Sequence, residues 1–150
     1  MSCGTSKKNP RYKSCVRYYN NSTQALTAGS LLQLQLAGSR VVDTGVSIEV
    51  QPSSYTIVTR GLYHISIDVE INTATAGDVY IVAYMDGVEL PCTRKQKTVE
   101  TDHDTLHTET DIEIDSCCCS VAKNITFAIK SVGVAVADVV HVCSGIIKEA

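Results

Sequence analysis

Tryptophan is absent from this chain, phenylalanine occurs once, at Phe127, and proline only three times. The seven tyrosines carry nearly all of the aromatic content, so a core has to be assembled from Val, Ile, Leu and Ala. Those residues, with Thr and Ser frequent throughout, favour strands, and no stretch shows the 3.6-residue apolar period of an amphipathic helix. No apolar run approaches the ~18 residues of a membrane-spanning helix. Lys7 and Lys8 are not followed by an apolar segment, so no secretion signal is legible. The expectation is a protein made and folded in a cytoplasm, without a membrane partner.

The motifs of catalysis are equally scarce. There is no Gly-x-Ser-x-Gly, no phosphate-binding loop, no dinucleotide fingerprint and no His-Glu-x-x-His. Ser and Cys residues have no identifiable partner base, and neither a Cys-x-x-Cys pair nor a Cys/His zinc spacing occurs. The expectation is a protein that is not an enzyme and holds no cofactor, with a divalent cation as the one alternative.

Acidic residues are missing from residues 1–42, which hold Lys7, Lys8, Arg11, Lys13, Arg17 and Arg40. Residues 43–150 hold seven basic and all sixteen acidic residues. A basic segment ahead of an acidic body is the pattern of a tether. Residues 1–24 are also polar and aperiodic, which divides the chain into an arm, 1–24, and a body, 25–150. Tyr12, Tyr18 and Tyr19 stand among the cations, an interleaving that nucleic-acid-binding segments use. The cations are few, however, and the body is acidic where a nucleic-acid surface is basic. Docking onto an acidic or grooved protein surface is favoured, through Lys7, Lys8, Arg11, Tyr12, Lys13, Arg17, Tyr18 and Tyr19; a merely solvated terminus is the plainer alternative.

Seven cysteines are an odd number without a secretion signal, so reduced thiols are the default. Cys117, Cys118 and Cys119 are consecutive and read as small buried hydrophobes at a strand end or turn. Disulfides formed later, in an oxidising medium, are the alternative.

What is present in quantity is alternation. At 150 residues the chain is long enough for one domain with a substantial core. From Tyr63, the residues Tyr63, Ile65, Ile67, Val69 and Ile71 face one way while His64, Ser66, Asp68 and Glu70 face the other, the mark of a half-buried strand. Gly61 ahead of it permits a sharp turn into the strand. Further extended segments are expected at Leu26–Leu36, where Leu32, Leu34 and Leu36 alternate with Gln33 and Gln35, at Val41–Val50 interrupted at Gly45 with Val46, Ile48 and Val50 on one face, and at Tyr55–Val58. Val79–Met85 returns through an Asp86-Gly87 hairpin to Val88–Leu90, and Arg94–Asp104 is a loop or exposed strand. Thr105–Asp115 points Leu106, Thr108, Thr110, Ile112 and Ile114 inward; Asn124–Lys130 does so with Ile125, Phe127 and Ile129. The last strand, Val139–Ile147, is apolar on both faces except for His141 and Ser144, which suggests a symmetric neighbour as its outer cover. Eight to ten strands with frequent turns predict an antiparallel sandwich or barrel.

Gly61-Leu62-Tyr63 opening a long alternating strand, and Val142-Cys143-Ser144-Gly145-Ile146-Ile147 near the C-terminus, resemble the signatures of the tumour-necrosis-factor/complement-type jelly roll. Thr73-Ala74-Thr75-Ala76 with Met85-Asp86-Gly87-Val88-Glu89-Leu90-Pro91-Cys92-Thr93 is similar to the bacterial branch, which includes the globular heads of collagen-like spore-surface glycoproteins; related domains occur in phage head-fibre and tail proteins. The resemblance covers roughly residues 30–150. It implies an all-β, two-sheet jelly roll and a homotrimer packed through the sheet that contains the Gly61–Ile71 strand and the last strand. His64, Ser66, Asp68, His141 and Cys143 then lie at or beside the subunit interface. The chain departs from the family in lacking a Gly-x-y stalk and the complement branch's aromatic richness, which favours a compact virion part over a spore glycoprotein.

One constellation remains. In an extended strand His103, Thr105, His107 and Glu109 share a face that continues through Asp111, Glu113 and Asp115. His103 and His107 stand ~13 Å apart, too far to chelate one ion within a chain, but around a threefold axis each subunit could contribute one. His103, His107 and Glu109 are the metal-ligand candidates; a solvated acidic face is the plainer reading. A row of like charges needs a cation, which Arg94, Lys95 and Lys97, a bound ion or a neighbour's arm could supply. The expectation is a trimeric capsid-decoration or head-fibre protein of a phage, anchored to the major capsid protein or another particle protein by residues 1–24 and able to meet host surface or carbohydrate. A spore- or cell-surface structural protein and a secreted receptor-binding module of the same fold are the alternatives.

Overall fold

The alternation from Tyr63 to Ile71 grows into the longest strand of the molecule, a 15-residue element, Gly61–Thr75. The computed structural model describes residues 14–115 and 122–150, and every regular element among them is a strand. In chain order these are β1 (Cys15–Asn20), β2 (Gln24–Leu26), β3 (Leu31–Gln33), β4 (Ser39–Thr44), β5 (Ile48–Gln51), β6 (Ser54–Ile57) and β7 (Gly61–Thr75). They continue as β8 (Gly77–Met85), β9 (Val88–Glu89), β10 (Lys95–Val99), β11 (Asp102–Ile114), β12 (Lys123–Ser131) and β13 (Val136–Lys148). None of the described residues forms a helix long and apolar enough to cross a membrane.

The strands pair antiparallel into two sheets. One runs β11-β7-β13-β1-β4, with β2 beside β13; the other runs β10-β8-β12-β6-β5, with β3 beside β12 and β9 beside β8. Tyr63, Ile65, Ile67, Val69 and Ile71 are fully buried between the sheets, facing Ile125, Phe127 and Ile129 of the opposite layer, as the alternation required. Leu106, Thr108, Ile112 and Ile114 of β11 are buried as well, and Thr110 is half-buried. Tyr55 crosses the sandwich: its hydroxyl shares a 2.6 Å hydrogen bond with the Ser144 hydroxyl. Burial, partly offset by that bond, raises its pKa far above the ordinary tyrosine value. Asp86 and Gly87 both take positive φ, 52° and 81°, which is the type I′ turn expected of the β8–β9 hairpin.

Three expectations need correction. Residues 14–24 belong to the body. β1 lies between β13 and β4, and Cys15 and Val16 are 2% and 1% exposed. A short strand with polar neighbours gives no legible period, yet the sheet supplies both of its hydrogen-bonded edges. Arg17, Tyr18 and Tyr19 are therefore strand residues rather than part of a free tail, while Lys7, Lys8, Arg11, Tyr12 and Lys13 lie outside the described residues, as do Cys117, Cys118 and Cys119. Val46 does not share a face with Ile48; Gly45 at φ 80° turns the chain, leaving Val46 75% exposed. Finally, Cys15 is disulfide-bonded, whereas Cys92 and Cys143 are free. A compartment argument addresses the average thiol, not a pair that folding brings together.

Candidate functional site

The antiparallel register of β11 on β7 sets Asp111 opposite His64, Glu109 opposite Ser66, His107 opposite Asp68 and Thr105 opposite Glu70. Directly opposed side chains on one face of a sheet lie within about 4.5–5.5 Å at Cβ. The outcome is a continuous chain of acid–imidazole contacts on the outer face. His64 Nδ1 is 2.8 Å from Asp111 Oδ1 and its Nε2 is 3.2 Å from Glu109 Oε1. His107 Nδ1 is 2.7 Å from Asp68 Oδ1 and its Nε2 is 2.6 Å from Glu109 Oε2. The groups that meet the acidic row are thus the imidazoles of the row itself and of its neighbour. Arg94 instead pairs with Glu89 and stacks 4.2 Å above the Tyr80 ring, and Lys97 reaches Asp104 at the far end.

An imidazole with a carboxylate at each nitrogen donates twice only when it is protonated. Partial burial opposes the charged form of His107, but hydrogen bonds to Glu109 and Asp68 outweigh it and raise the pKa. The His107 hydrogen bond holds Glu109 below the ordinary carboxylate range, and His64 and then Glu149 do so for Asp111. The signs give a window. The raised imidazole contributes stability that is complete below its ordinary value near ~6.5 and is lost as pH climbs through the raised one. The depressed carboxylates contribute stability above ~4 that is lost as pH falls. His107→Asn should therefore lower the melting temperature by about 2–4 °C at pH 5–6 and by less at pH 8. Thermal melts of both proteins across that range measure this, and a pH-independent difference counts against it.

The five residues assigned to a subunit interface, His64, Ser66, Asp68, His141 and Cys143, all stand on the outer face of β7 and β13. Ser66 is flanked by Glu109 and Gly145, and Asp68 by His107 and Cys143. A register shift between Val139 and His141 turns Val142, Ser144 and Ile146 inward and leaves Cys143 and Ile147 half-buried on the outer side. His141 hydrogen-bonds the Asn21 side chain and lies 6.0 Å from the Tyr19 ring. Tyr18, by contrast, points inward, and its hydroxyl donates to Asp43 at 3.1 Å. Burial and that carboxylate raise its pKa.

Of the metal candidates, His107 and Glu109 are in contact, while His103 pairs across the ladder with Asn72, ~13 Å along the strand. His64, Asp111 and Glu149 escaped the sequence reading as a group. Their donor atoms all lie within 4.8 Å of one another. The signal was the complementarity of two polar faces: His-Ser-Asp-Glu on one strand matches Asp-Glu-His-Thr on the other when they run antiparallel. The second sheet carries a separate outer cluster of Tyr80, Val82 and Ala128, with Tyr84 beside it. Next to it Leu31, Gln33, Tyr84, Gly87, Thr126 and Ala128 line a groove of about 190 Å³.

This strand order and this buried interlayer make the chain an all-β jelly-roll sandwich of the tumour-necrosis-factor type. The solved structures to which it is similar include the PRD1 vertex protein P5, with a TM-score of 0.65 at 13% identity over 91% of this chain and 97% of that one. Murine APRIL at pH 5.0 gives 0.67 at 12% identity, over 91% and 99%. The same protein at pH 8.5 gives 0.62 at 12%, over 91% and 99%. No known family profile and no curated protein sequence matches the chain.

Proposed function

We propose that the chain is a structural module of a phage particle, a homotrimer that decorates or projects from the capsid, made in the host cytoplasm and tethered by residues 1–13. The observation that carries this reading is the likeness to a vertex protein over 97% of the solved chain of that protein. Two features of the chain support it. The basic residues 7–13 precede an acidic body, which suits an anchor to the major capsid protein or another particle protein. The centre of the first sheet bears small and apolar outer residues, Cys143, Gly145 and Ile147, between the charged β7 and β11 on one side and Arg17 and Tyr19 on the other. A threefold contact through that strand would cover them. The second sheet would then face outward, and its Tyr84, Gln33 and Thr126 offer a ring, an amide and a hydroxyl to a host carbohydrate. The likeness to APRIL favours a receptor-binding module as the second reading.

Light scattering should give three times the 16.2 kDa chain mass, and a monomer overturns the trimer. Because β1 begins at Cys15, the informative deletion stops at residue 13. Removing residues 1–13 should leave the trimer intact and abolish its retention on purified virions; unchanged retention would remove the tether.

A further inference from the structure

We infer that His64, Asp111 and Glu149 form a site for one divalent first-row transition cation, of the zinc or cobalt class, within a single chain. The site is separate from the virion reading and stands without it. Its three donors sit on three adjacent extended segments. His64 on β7 is opposite Asp111 on β11, and on its other side opposite Ile147 on β13. The residues after β13 remain on the ladder: the Glu149 amide donates to the Leu62 carbonyl at 2.7 Å, and the Leu62 amide to the Ala150 carbonyl at 3.1 Å. Glu149 is thereby the diagonal neighbour of His64 on the same face, and it is half-buried rather than free in solvent.

The donor atoms lie within 4.8 Å of one another. Donors at about 2.0–2.1 Å from one ion are about 3–4 Å apart, so closure needs side-chain adjustments of roughly 1 Å or less. One imidazole and two carboxylates suit zinc, cobalt, nickel or manganese better than calcium, which prefers six or more oxygens. Two carboxylate charges balance the dication, and the outer side stays open for water. What distinguishes this group from an ordinary acidic patch lies behind the imidazole. His64 Nδ1 faces Asp111, while Nε2 lies 3.2 Å from Glu109, whose other oxygen is held by His107 at 2.6 Å. A carboxylate beside the second nitrogen of a ligating histidine is a usual support of a metal site, because it helps to hold the ring in place. Nδ1, the nitrogen that would ligate, faces the point where Asp111 and Glu149 converge.

Co²⁺ titrated into the purified full chain at pH 7.5, followed by visible absorption and melting temperature, tests this. The expected result is saturation at one ion per chain, a melting temperature raised by several degrees, and d–d bands without the intense thiolate charge-transfer band that cysteine ligation would give. His64→Gln and Asp111→Asn should each weaken binding at least tenfold, and Glu109→Gln by about 10–100-fold. Glu100→Gln, in the turn before β11, should bind as the native chain does. Melts without metal establish that each variant is folded; should His64→Gln not fold, Asp111→Asn decides alone. Absence of saturable binding, a thiolate band, or binding indifferent to Asp111→Asn overturns the assignment.

Discussion

Phe127→Ala should lower the melting temperature by roughly 6–20 °C, the largest effect expected of a single side chain here. Phe127 is fully buried on β12, the central strand of the second sheet, and is the chain's only phenylalanine. Truncating a buried Phe to Ala costs about 3–5 kcal/mol, part transfer and part cavity. In a domain of this size each kcal/mol is worth about 2–4 °C. The cavity cannot readily collapse. β12 is tied into β8, β6 and β3, and the Leu34 amide donates to the Phe127 carbonyl at 2.9 Å. Nor can the other interior rings slide across. Tyr55 is held by Ser144, and the Tyr63 hydroxyl donates to the Thr59 carbonyl at 2.8 Å. Phe127→Leu should recover most of the loss. Calorimetry of the two variants measures both, and a drop below about 5 °C for the alanine would mean that the interior repacks.

The poverty in aromatic residues that marks the sequence therefore has a structural meaning: three large rings, placed at fixed points, organise a core otherwise made of aliphatic side chains. That core was readable because β7, β11 and β12 each have one buried face, and side chains on a strand change face at every residue. The Asp86-Gly87 turn was readable because its two positive φ values demand such residues. β1 was not, since its place depends on the two strands that receive it and not on any period of its own. The bulge at β13 was hidden for the same reason: a register shift leaves no mark in an apolar run that reads alike on both faces.

The outer face divides similarly. That His107 and Glu109 share a face follows from their spacing. That His64 stands between Glu109 and Asp111, with Glu149 diagonal to it, depends on the register of β7 against β11 and β13. Registers are set by the pairing of whole strands. A single-strand reading therefore finds His103, which shares the face but stands outside the cluster, and passes over His64, which completes it.

The Ser144-Gly145 pair on the last strand is where both kinds of information meet, and it carries the second large effect. Ser144 turns inward to Tyr55 and joins the two sheets. Gly145 turns outward, and a Cβ there would lie 2.8 Å from the Val16 carbonyl oxygen. The obstacle is backbone, so it cannot be relieved by a side-chain rotation. Gly145→Ala should push β1 away from β13, at a cost of about 1–3 kcal/mol and a loss of roughly 3–10 °C. The damage should be unevenly distributed. Among the described strands β4 is joined to its sheet only through β1, so amide protection should fall together over residues 15–20 and 39–44 while β7 and β11 keep theirs. Hydrogen exchange read by mass spectrometry distinguishes this from a general loosening; uniform loss of protection would show that β1 is not the element Gly145 accommodates. Because β1 follows directly on the basic residues 7–13, the same variant should also weaken any hold that those residues have on a particle, without altering a single one of their charges.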